Sequence, residues 1–297
     1  MQKQSVFKTF FKRKSKSEFI VQTIFFVLMA VHCIALIYLY FYGFNISLKE
    51  SQEKFSDFPY TIAFELNFMN YVEAFKSMRI ELLGGYDATY FNMVFNSLWY
   101  AVGGQLFSIG VAACSTYVVA RFKNKFTKFI FNLCVFIMIM PIVGAGPARY
   151  KLYADMNILN TPFILLEGLN NMCNLMMYAF FSALSWTYAE AAYIDGANDF
   201  TVFFKIMLPM ALPSISVIFV SGVIAAWNDY ATPMLYLDER FPTLASGLYT
   251  YEREMQYDAN VPAYFAGVCL AMIPPITLFS VMQNTIMSKV YFGGLKG

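Results

Sequence analysis

The stretch EAAYIDGANDFTVFFKIMLPMALP, Glu190–Pro213, is a short polar segment between long apolar runs, and the interpretation of the whole chain depends on it. Its first turns are rich in alanine, and small side chains allow a second surface to approach closely. Gly196 predicts an interruption of the helix, at which either the backbone turns or another group packs closely, and Asn198 with Asp199 predicts the cap of a second helix. The segment is therefore predicted to form a bent, two-helix element.

The second of these helices is predicted to be short and amphipathic. Apolar side chains recur at helical spacing at Phe200, Phe203, Phe204, Met207 and Leu208. Such spacing gives one apolar face, which we expect to lie along a membrane surface or against the protein itself. Pro209 is predicted to end the helix, and Pro213 to open the next one. The pattern indicates a rigid docking element.

The remainder of the chain has the composition of a membrane protein. Of its 297 residues, 59% are apolar and 13% are charged, and its mean hydropathy is +0.51. A transmembrane helix needs about 20 apolar residues. We predict an all-α, polytopic fold with six transmembrane helices, at residues 19–43, 93–119, 127–147, 163–185, 213–236 and 262–287.

The distribution of charge predicts the orientation. Basic residues cluster in the N-terminal tail and after the second span, at Lys3, Lys8, Lys12, Arg13, Lys14, Lys16, Arg121, Lys123, Lys125 and Lys128. Such clusters favour the cytoplasmic side. We therefore predict a cytoplasmic tail at 1–18 and a membrane domain at 19–297, with an extracytoplasmic loop at 44–91 and a cytoplasmic loop at 188–212. Both termini are predicted to be cytoplasmic, in a bacterial-type cytoplasmic membrane.

Catalytic and metal-binding motifs are missing from the sequence. It has no H-E-x-x-H, G-x-S-x-G or G-x-x-x-x-G-K-[ST] pattern, so we predict no catalytic residue, no metal and no cofactor bound by this chain. The lone histidine, His32, is interpreted as a neutral, packed residue of the first span. The five cysteines have neither metal-ligand nor redox spacing, and no disulfide is predicted.

The segment EAA, two residues, DGA and then I-x-LP resembles the EAA loop of ABC-importer membrane subunits. Further stretches along nearly the whole chain resemble the carbohydrate-uptake permeases of the maltose and multiple-sugar type. They are NFMNYVEAF, FNSLWYAV, STYVVARFKNK, LY and LNT within Leu152–Thr161, WNDY and the terminal YFGGLKG.

The resemblance implies an ATP-driven importer assembled from separate chains. Its partners would be a second permease, generally a different chain, a cytoplasmic ATPase dimer that carries ATP and Mg, and an extracytoplasmic sugar-binding protein. In this family the EAA loop seats in a cleft of the ATPase. Carried onto this chain, Glu190 would pair with a basic group, Ala191, Ala192 and Asp195 would share the contact, Gly196 would make the turn, and Ile206, Leu208 and Pro209 would anchor the loop to the helix bundle.

The solute path has two interpretations. The quartet Trp227, Asn228, Asp229 and Tyr230 is predicted about fourteen residues into the fifth span, roughly 20 Å from its cytoplasmic end. Its aromatic and polar groups suit a sugar ring and its hydroxyls, with Asn174 as a weaker candidate. Alternatively the quartet only locks helices together, with Trp227 packed and Asp229 paired internally.

The sequence has two alternative functional interpretations. An ion-coupled secondary carrier usually carries intramembrane charges in several spans or matched half-repeats, and the sequence shows little of either. An ABC-importer permease for a solute other than a sugar would share the same loop. The residues do not identify the sugar or its chain length.

Overall fold

The computed structural model describes residues 16–50, 56, 60–63, 66–82, 85–140, 144–237, 240–258 and 260–290. The predicted tail, apart from Lys16 to Glu18, and the YFGGLKG motif lie outside these residues. The helices are α1 (Lys16–Ser47), α2 (Met69–Ser77), α3 (Tyr90–Arg121), α4 (Lys125–Ile139), α5 (Ala145–Asp155), a 3₁₀ helix (Pro162–Cys173), α6 (Leu175–Ala183), α7 (Thr187–Ile194), α8 (Asp199–Asn228), α9 (Ala231–Tyr236), α10 (Leu244–Asp258) and α11 (Val261–Val290). Strands β1 (Ile80–Leu82) and β2 (Tyr86–Ala88) form an antiparallel hairpin in which Ile80 lies opposite Ala88.

Four helices in the described part of the chain are long and apolar enough to cross a membrane. They are Ser17–Ser47, Tyr90–Arg121, Asp199–Asn228 and Val261–Val281. The predicted all-α membrane class is confirmed. The two other predicted spans, 127–147 and 163–185, contain shorter pieces, namely the 15-residue α4 and the 3₁₀ helix followed by α6. The count of six transmembrane helices stays a prediction.

The first half of the predicted span 163–185 forms the 3₁₀ helix, which lies close against α3. Pro162 opens the 3₁₀ helix, and Gly168, with its low helix propensity, lies within it. A Cβ atom on Gly168 would lie 2.8 Å from Phe107 Cδ1 and 3.0 Å from the Ser108 backbone nitrogen. The 3₁₀ helix therefore packs against α3 more closely than any other residue type would permit at this position.

Helix α8 corrects the predicted position of the fifth span. Pro209 does not end the helix, which continues from Asp199 to Asn228. A π-helical turn at Phe203–Met207 ends two residues before Pro209. Such turns accommodate breaks in the regular ladder of backbone hydrogen bonds, and membrane helices tolerate proline for the same reason.

The π-helical turn also changes the predicted apolar face. Phe203 and Met207 are buried as expected, but Phe200 and Phe204 are exposed, and Val202 is buried in their place. A π turn holds more residues than an α turn. Side chains that would share one face of an ideal α-helix therefore point in different directions in this part of α8.

Helix α1 packs against the other helices only near its C-terminal end. Its side chains from Ser17 to Phe41 are exposed, apart from the half-buried Ala30. Near its end, a Cβ on Gly43 would lie 3.3 Å from the Phe265 ring. His32, expected to be packed, is therefore exposed on a helix that has no neighbour at that level within the described residues.

The cysteines differ from expectation at one position. Cys134 is disulfide-bonded, so the prediction of no disulfide is wrong there. The prediction rested on the spacing of cysteines along the sequence. Spacing alone does not show which cysteines lie within bonding distance in the folded chain. Cys33, Cys114 and Cys269 are free thiols.

Candidate functional sites

The turn at Gly196 has the geometry that the sequence predicts. Gly196 has a φ of +84°, in the left-handed region that favours glycine. Its N–H donates to the Tyr193 carbonyl at 3.0 Å, and the Ala197 N–H donates to the Ala192 carbonyl at 2.9 Å. This pair of bonds is the Schellman motif, which satisfies the last carbonyls of a helix. Helix α7 therefore ends at a defined angle.

The predicted cap of the following helix is confirmed for Asn198. Its Oδ1 accepts a hydrogen bond from the Thr201 N–H at 2.8 Å. Asp199 has another partner, because the Tyr193 hydroxyl donates to its carboxylate. This hydrogen bond, together with burial and the charge of Asp199, raises the pKa of Tyr193. The contact joins α7 to the start of α8 across the Gly196 turn.

The outer surface of this loop contains most of the residues expected to contact an ATPase. Glu190, Ala191, Asp195 and Gly196 are exposed, and Ala192 is half-buried. Exposed apolar side chains adjoin them, since Ile194 is 86% and Phe200 is 76% exposed. An exposed apolar patch next to charged groups is typical of an interaction surface.

The inner surface of the loop packs on a hydrophobic core. Ala189 is fully buried there, and Ile206 and Leu208 are half-buried against the same cluster. Pro209, expected to share this anchoring, is exposed. The core cluster comprises Ile109, Ala113, Tyr117, Ala120, Met177, Phe181, Ala189, Val202, Phe203, Met207, Ala211 and Ile218.

The WNDY quartet lies at the far end of α8 and not near its middle. Because α8 begins at Asp199, Trp227 lies roughly 40 Å along it. Trp227 is 6% exposed, and its Nε1–H donates to the Ala271 carbonyl of α11 at 3.2 Å. The indole therefore joins two transmembrane helices, as expected if Trp227 serves to pack helices together.

A cavity of about 270 Å³ opens beside Trp227, between α8, α10 and α11. Its lining combines quartet members with residues that the sequence did not single out: Trp227, Asn228, Tyr230, Leu244, Ala245, Leu248, Tyr249, Glu252, Tyr264, Val268, Ala271, Met272 and Pro275. The Tyr230 and Tyr249 rings stack with centroids 4.6 Å apart and an interplanar angle of 11°. The Tyr264 hydroxyl donates to Glu252 at 3.4 Å. We call this cavity the α8–α11 pocket.

Two candidate residues lie outside the lining of this pocket. Asp229 accepts a hydrogen bond from the Thr232 N–H at 3.1 Å, and so caps α9. Asn174 accepts one from the Met177 N–H at 2.9 Å, and so caps α6. The pocket therefore contains three of the five predicted path residues, and α10 and α11 supply the rest. The acidic residues of α10 are visible in the sequence, but no local pattern assigns them to a solute path.

The sequence also did not predict an ion pair between Arg149 and Glu167. Arg149 pairs with Glu167 at 2.7 Å, and the Glu167 side chain is 24% exposed. Asp229 lies near enough to Glu167 for the two carboxyl groups to interact electrostatically. Glu167 lies inside the predicted span 163–185, and a carboxylate within a span is itself a signal of function.

These features define a membrane-embedded transport subunit, with an exposed loop at residues 188–212, which we call the docking loop, at one end of its helices and a pocket between them. In the described ranges, no group of three or more His, Cys, Asp or Glu side chains is placed to hold a metal ion.

The chain belongs to the family described as the binding-protein-dependent transport system inner membrane component, whose pattern matches residues 109–290. The match extends over more than half of the chain and contains both the docking loop and the α8–α11 pocket. Members are permease components of ABC importers, so an ATPase and a substrate-binding protein are implied as partners. The protein is therefore a multi-pass inner-membrane component.

Individual relatives are similar over most of their length. The diacetylchitobiose uptake system permease protein NgcG of Streptomyces coelicolor is 27% identical over 252 residues, covering 83% of this chain and 80% of the relative. The melibiose/raffinose/stachyose import permease protein MelC of Bacillus subtilis is 26% identical, with 87% and 92% covered. The arabinooligosaccharides transport system permease protein AraQ of Bacillus subtilis is 24% identical, with 94% and 96% covered.

A solved structure shows the same fold. A chain of a bacterial ABC transporter involved in the import of the acidic polysaccharide alginate superposes with a TM-score of 0.72, covering 92% of this chain and 99% of that chain. The two sequences are 20% identical, so the likeness concerns the fold alone.

Proposed function

We propose that this chain is the transmembrane subunit of an ATP-driven, binding-protein-dependent importer of a sugar or oligosaccharide. It forms half of the translocation path, and a second permease, a different chain, forms the other half. The observation that carries the proposal is the docking loop, in which a Schellman turn presents Glu190 and Asp195 outward while Ala189 is fully buried beneath them. The family membership and the sugar-transport names of the three relatives support it.

In the proposed orientation the docking loop, residues 188–212, faces the cytoplasm. The tail at 1–18 and both termini lie on the same side, and the loop 44–91 faces outward. The basic residues that follow α3, with Lys123, Lys125 and Lys128 all exposed, support this assignment.

Coupling to the ATPase occurs at the outer surface of the loop. Glu190 pairs with a basic group of the ATPase, Ala191, Ala192 and Asp195 contribute the adjoining contact, and Gly196 sets the angle. Ile206 and Leu208 hold the loop on the core cluster, and Pro209 lies at the edge of that contact. ATP and Mg bind to the ATPase dimer, and this chain is a non-catalytic subunit with no cofactor of its own.

The solute passes the α8–α11 pocket. The apolar face of a sugar ring suits the faces of Tyr230 and Tyr249, while Asn228 and Glu252 can hold hydroxyl groups. Binding sites commonly combine aromatic walls with a few placed polar groups in this way. Trp227 forms the floor of the pocket and joins α8 to α11. Asp229 and Asn174 act at a distance, by capping α9 and α6.

The first experiment is to tag the chain, extract it gently from native membranes and identify the proteins that co-purify by mass spectrometry. We expect an ATPase, a second permease and an extracytoplasmic binding protein. The Glu190→Ala variant should retain the second permease but lose most of the ATPase, because removing one partner of a charge pair that is buried in an interface costs about 2–5 kcal/mol. Recovery of the folded chain alone would contradict the proposal.

The solute class has a separate test. The co-purified binding protein is titrated with a panel of neutral oligosaccharides, amino acids and phosphorylated compounds. Binding of an oligosaccharide in the micromolar range is expected. Binding confined to a non-sugar solute would leave the importer in place and overturn the carbohydrate assignment.

A further inference from the structure

Arg121 is the last residue of α3, and its guanidinium lies against two aromatic rings, one just before the docking loop and one within it. Its Cζ is 4.8 Å from the centroid of Trp186 and 5.6 Å from that of Tyr193. Trp186 directly precedes α7, and Tyr193 lies in its last turn. One side chain of the second span therefore contacts both ends of the short helix that carries Glu190.

The contact continues into the protein along α3. Tyr117 lies one turn before Arg121 and is 5% exposed. Its ring contacts that of Trp186 at 6.0 Å and that of Phe203 on α8 at 4.7 Å. With the hydrogen bond from Tyr193 to Asp199, these contacts form a closed circuit through α3, α7 and the start of α8. We call it the Arg121 circuit.

The guanidinium of Arg121 lies against the two rings and close to the Tyr193 hydroxyl. Among the described residues, no salt bridge of 4.0 Å or less involves Arg121. A guanidinium over an aromatic face is attracted by the ring quadrupole, and its planar shape also stacks, which an ammonium group does not do. Arg121 is half-buried, so the contact is partly shielded from water.

A simpler role for Arg121 makes a different prediction. A cation in the last turn of a helix interacts favourably with the helix dipole, and a lysine would serve this purpose equally well. The two roles therefore separate in the Arg121→Lys variant, which keeps the charge and loses the planar stack.

We propose that Arg121 is a positioning residue that fastens α7 to the end of the second span, so that displacement of the docking loop by the ATPase is passed directly to α3. This inference rests on the proposed coupling function. It assigns to Arg121 the transmission of movement and not the binding of the ATPase.

The test uses the complete importer, with its partner chains, reconstituted in liposomes. Arg121→Gln is compared with Arg121→Lys and with the control Lys123→Gln, which removes an exposed charge two residues away. We expect Arg121→Gln to bind the ATPase as the unaltered chain does, while solute imported per ATP hydrolysed falls about five-fold, the scale of one partly shielded cation–π contact. Arg121→Lys should show an intermediate loss, and Lys123→Gln should show none. Equal ratios in all four proteins would overturn the inference.

A distance measurement provides a readout that a merely stabilising role would not change. Spin labels are placed at the exposed positions Lys123 and Tyr188, on the two sides of the circuit. In the unaltered circuit the distance distribution should stay narrow with and without ATP, because α3 and α7 move together. In Arg121→Gln it should broaden on ATP binding, and an unchanged narrow distribution would contradict the proposal.

The two proposals can fail separately. If Glu190→Ala leaves ATPase binding intact, the coupling function itself is wrong. If Glu190→Ala releases the ATPase while Arg121→Gln transports normally, only the role of Arg121 is wrong.

Discussion

Gly196 sets the angle between the two halves of the docking loop. A residue with a Cβ at a φ of +84° is strained by about 1–2 kcal/mol, and a β-branched side chain by more. We expect Gly196→Val to insert into the membrane in normal amounts and to lose most uptake, because the turn re-forms at a different angle. Uptake of radiolabelled solute and the amount of chain in the membrane are the measurements.

Gly144 provides the control for this substitution. It has the same φ of +84° and no atom within 4 Å of an added Cβ, but it lies outside the docking loop. Gly144→Val should therefore carry the same backbone strain and retain uptake. If both variants lose uptake equally, strain and not the coupling angle is the cause.

Glu252 is the carboxylate of the α8–α11 pocket. Glu252→Gln removes the charge and keeps the shape, so the apparent KM for a sugar should rise about ten-fold, equivalent to one charge-assisted hydrogen bond of about 1.4 kcal/mol. Glu254→Gln on the same helix, at an exposed position outside the pocket lining, should leave KM unchanged. Concentration-dependent uptake distinguishes them, and equal KM values in both variants would exclude Glu252 from the solute path.

Among the helices, α3 packs closely against two glycines, Gly222 and Gly168. The first glycine faces a side chain of α3, and the second faces its backbone. A Cβ on Gly222 of α8 would lie 2.2 Å from the Gln105 side chain, whose Nε2–H donates to the Ile218 carbonyl at 3.1 Å. A Cβ on Gly168 would instead meet the backbone of Ser108 at 3.0 Å. A side chain can move aside, whereas a helix backbone does so only at greater cost.

These contacts predict different outcomes for two matched substitutions. Gly222→Ala should lower the thermal midpoint of the purified complex, and Gln105→Ala should restore much of the loss by vacating the space. Gly168→Ala should cost about 1–3 kcal/mol, the usual range for overpacking, and Phe107→Ala should not rescue it. Gly110→Ala, where nothing lies within 4 Å, is the neutral control. Rescue of Gly168→Ala by Phe107→Ala would show that the backbone contact is not limiting.

Helix α8 shows why element boundaries were hard to predict. Pro209 normally indicates the end of a helix, but the π-helical turn at Phe203–Met207 precedes it and the helix continues. The turn joins docking loop and transmembrane helix into one continuous element. Movement of the loop therefore acts directly on the helix that ends at Trp227 and the pocket.

At the scale of the whole molecule, the energy source separates an ABC importer from an ion-coupled carrier. We expect uptake into right-side-out vesicles to stop when internal ATP is depleted and to continue when a protonophore collapses the proton gradient while internal ATP is maintained. The reason is that, in the proposed function, the energy source acts on this chain through an ATPase bound to the docking loop. Loss of uptake with the protonophore at constant internal ATP would favour the carrier.

Local sequence patterns were enough to predict the membrane class, the bent form of the docking loop, the Gly196 turn and the Asn198 cap. These depend on composition and on interactions between residues close together in the chain, which local patterns record. Four contacts became visible only in the folded chain: Trp227 joins α8 to α11, Tyr249 and Glu252 complete the pocket, Arg149 pairs with Glu167, and Arg121 contacts Trp186 and Tyr193. Each of these contacts joins separate elements, and their geometry is set by how the helices pack, which no spacing along the chain specifies.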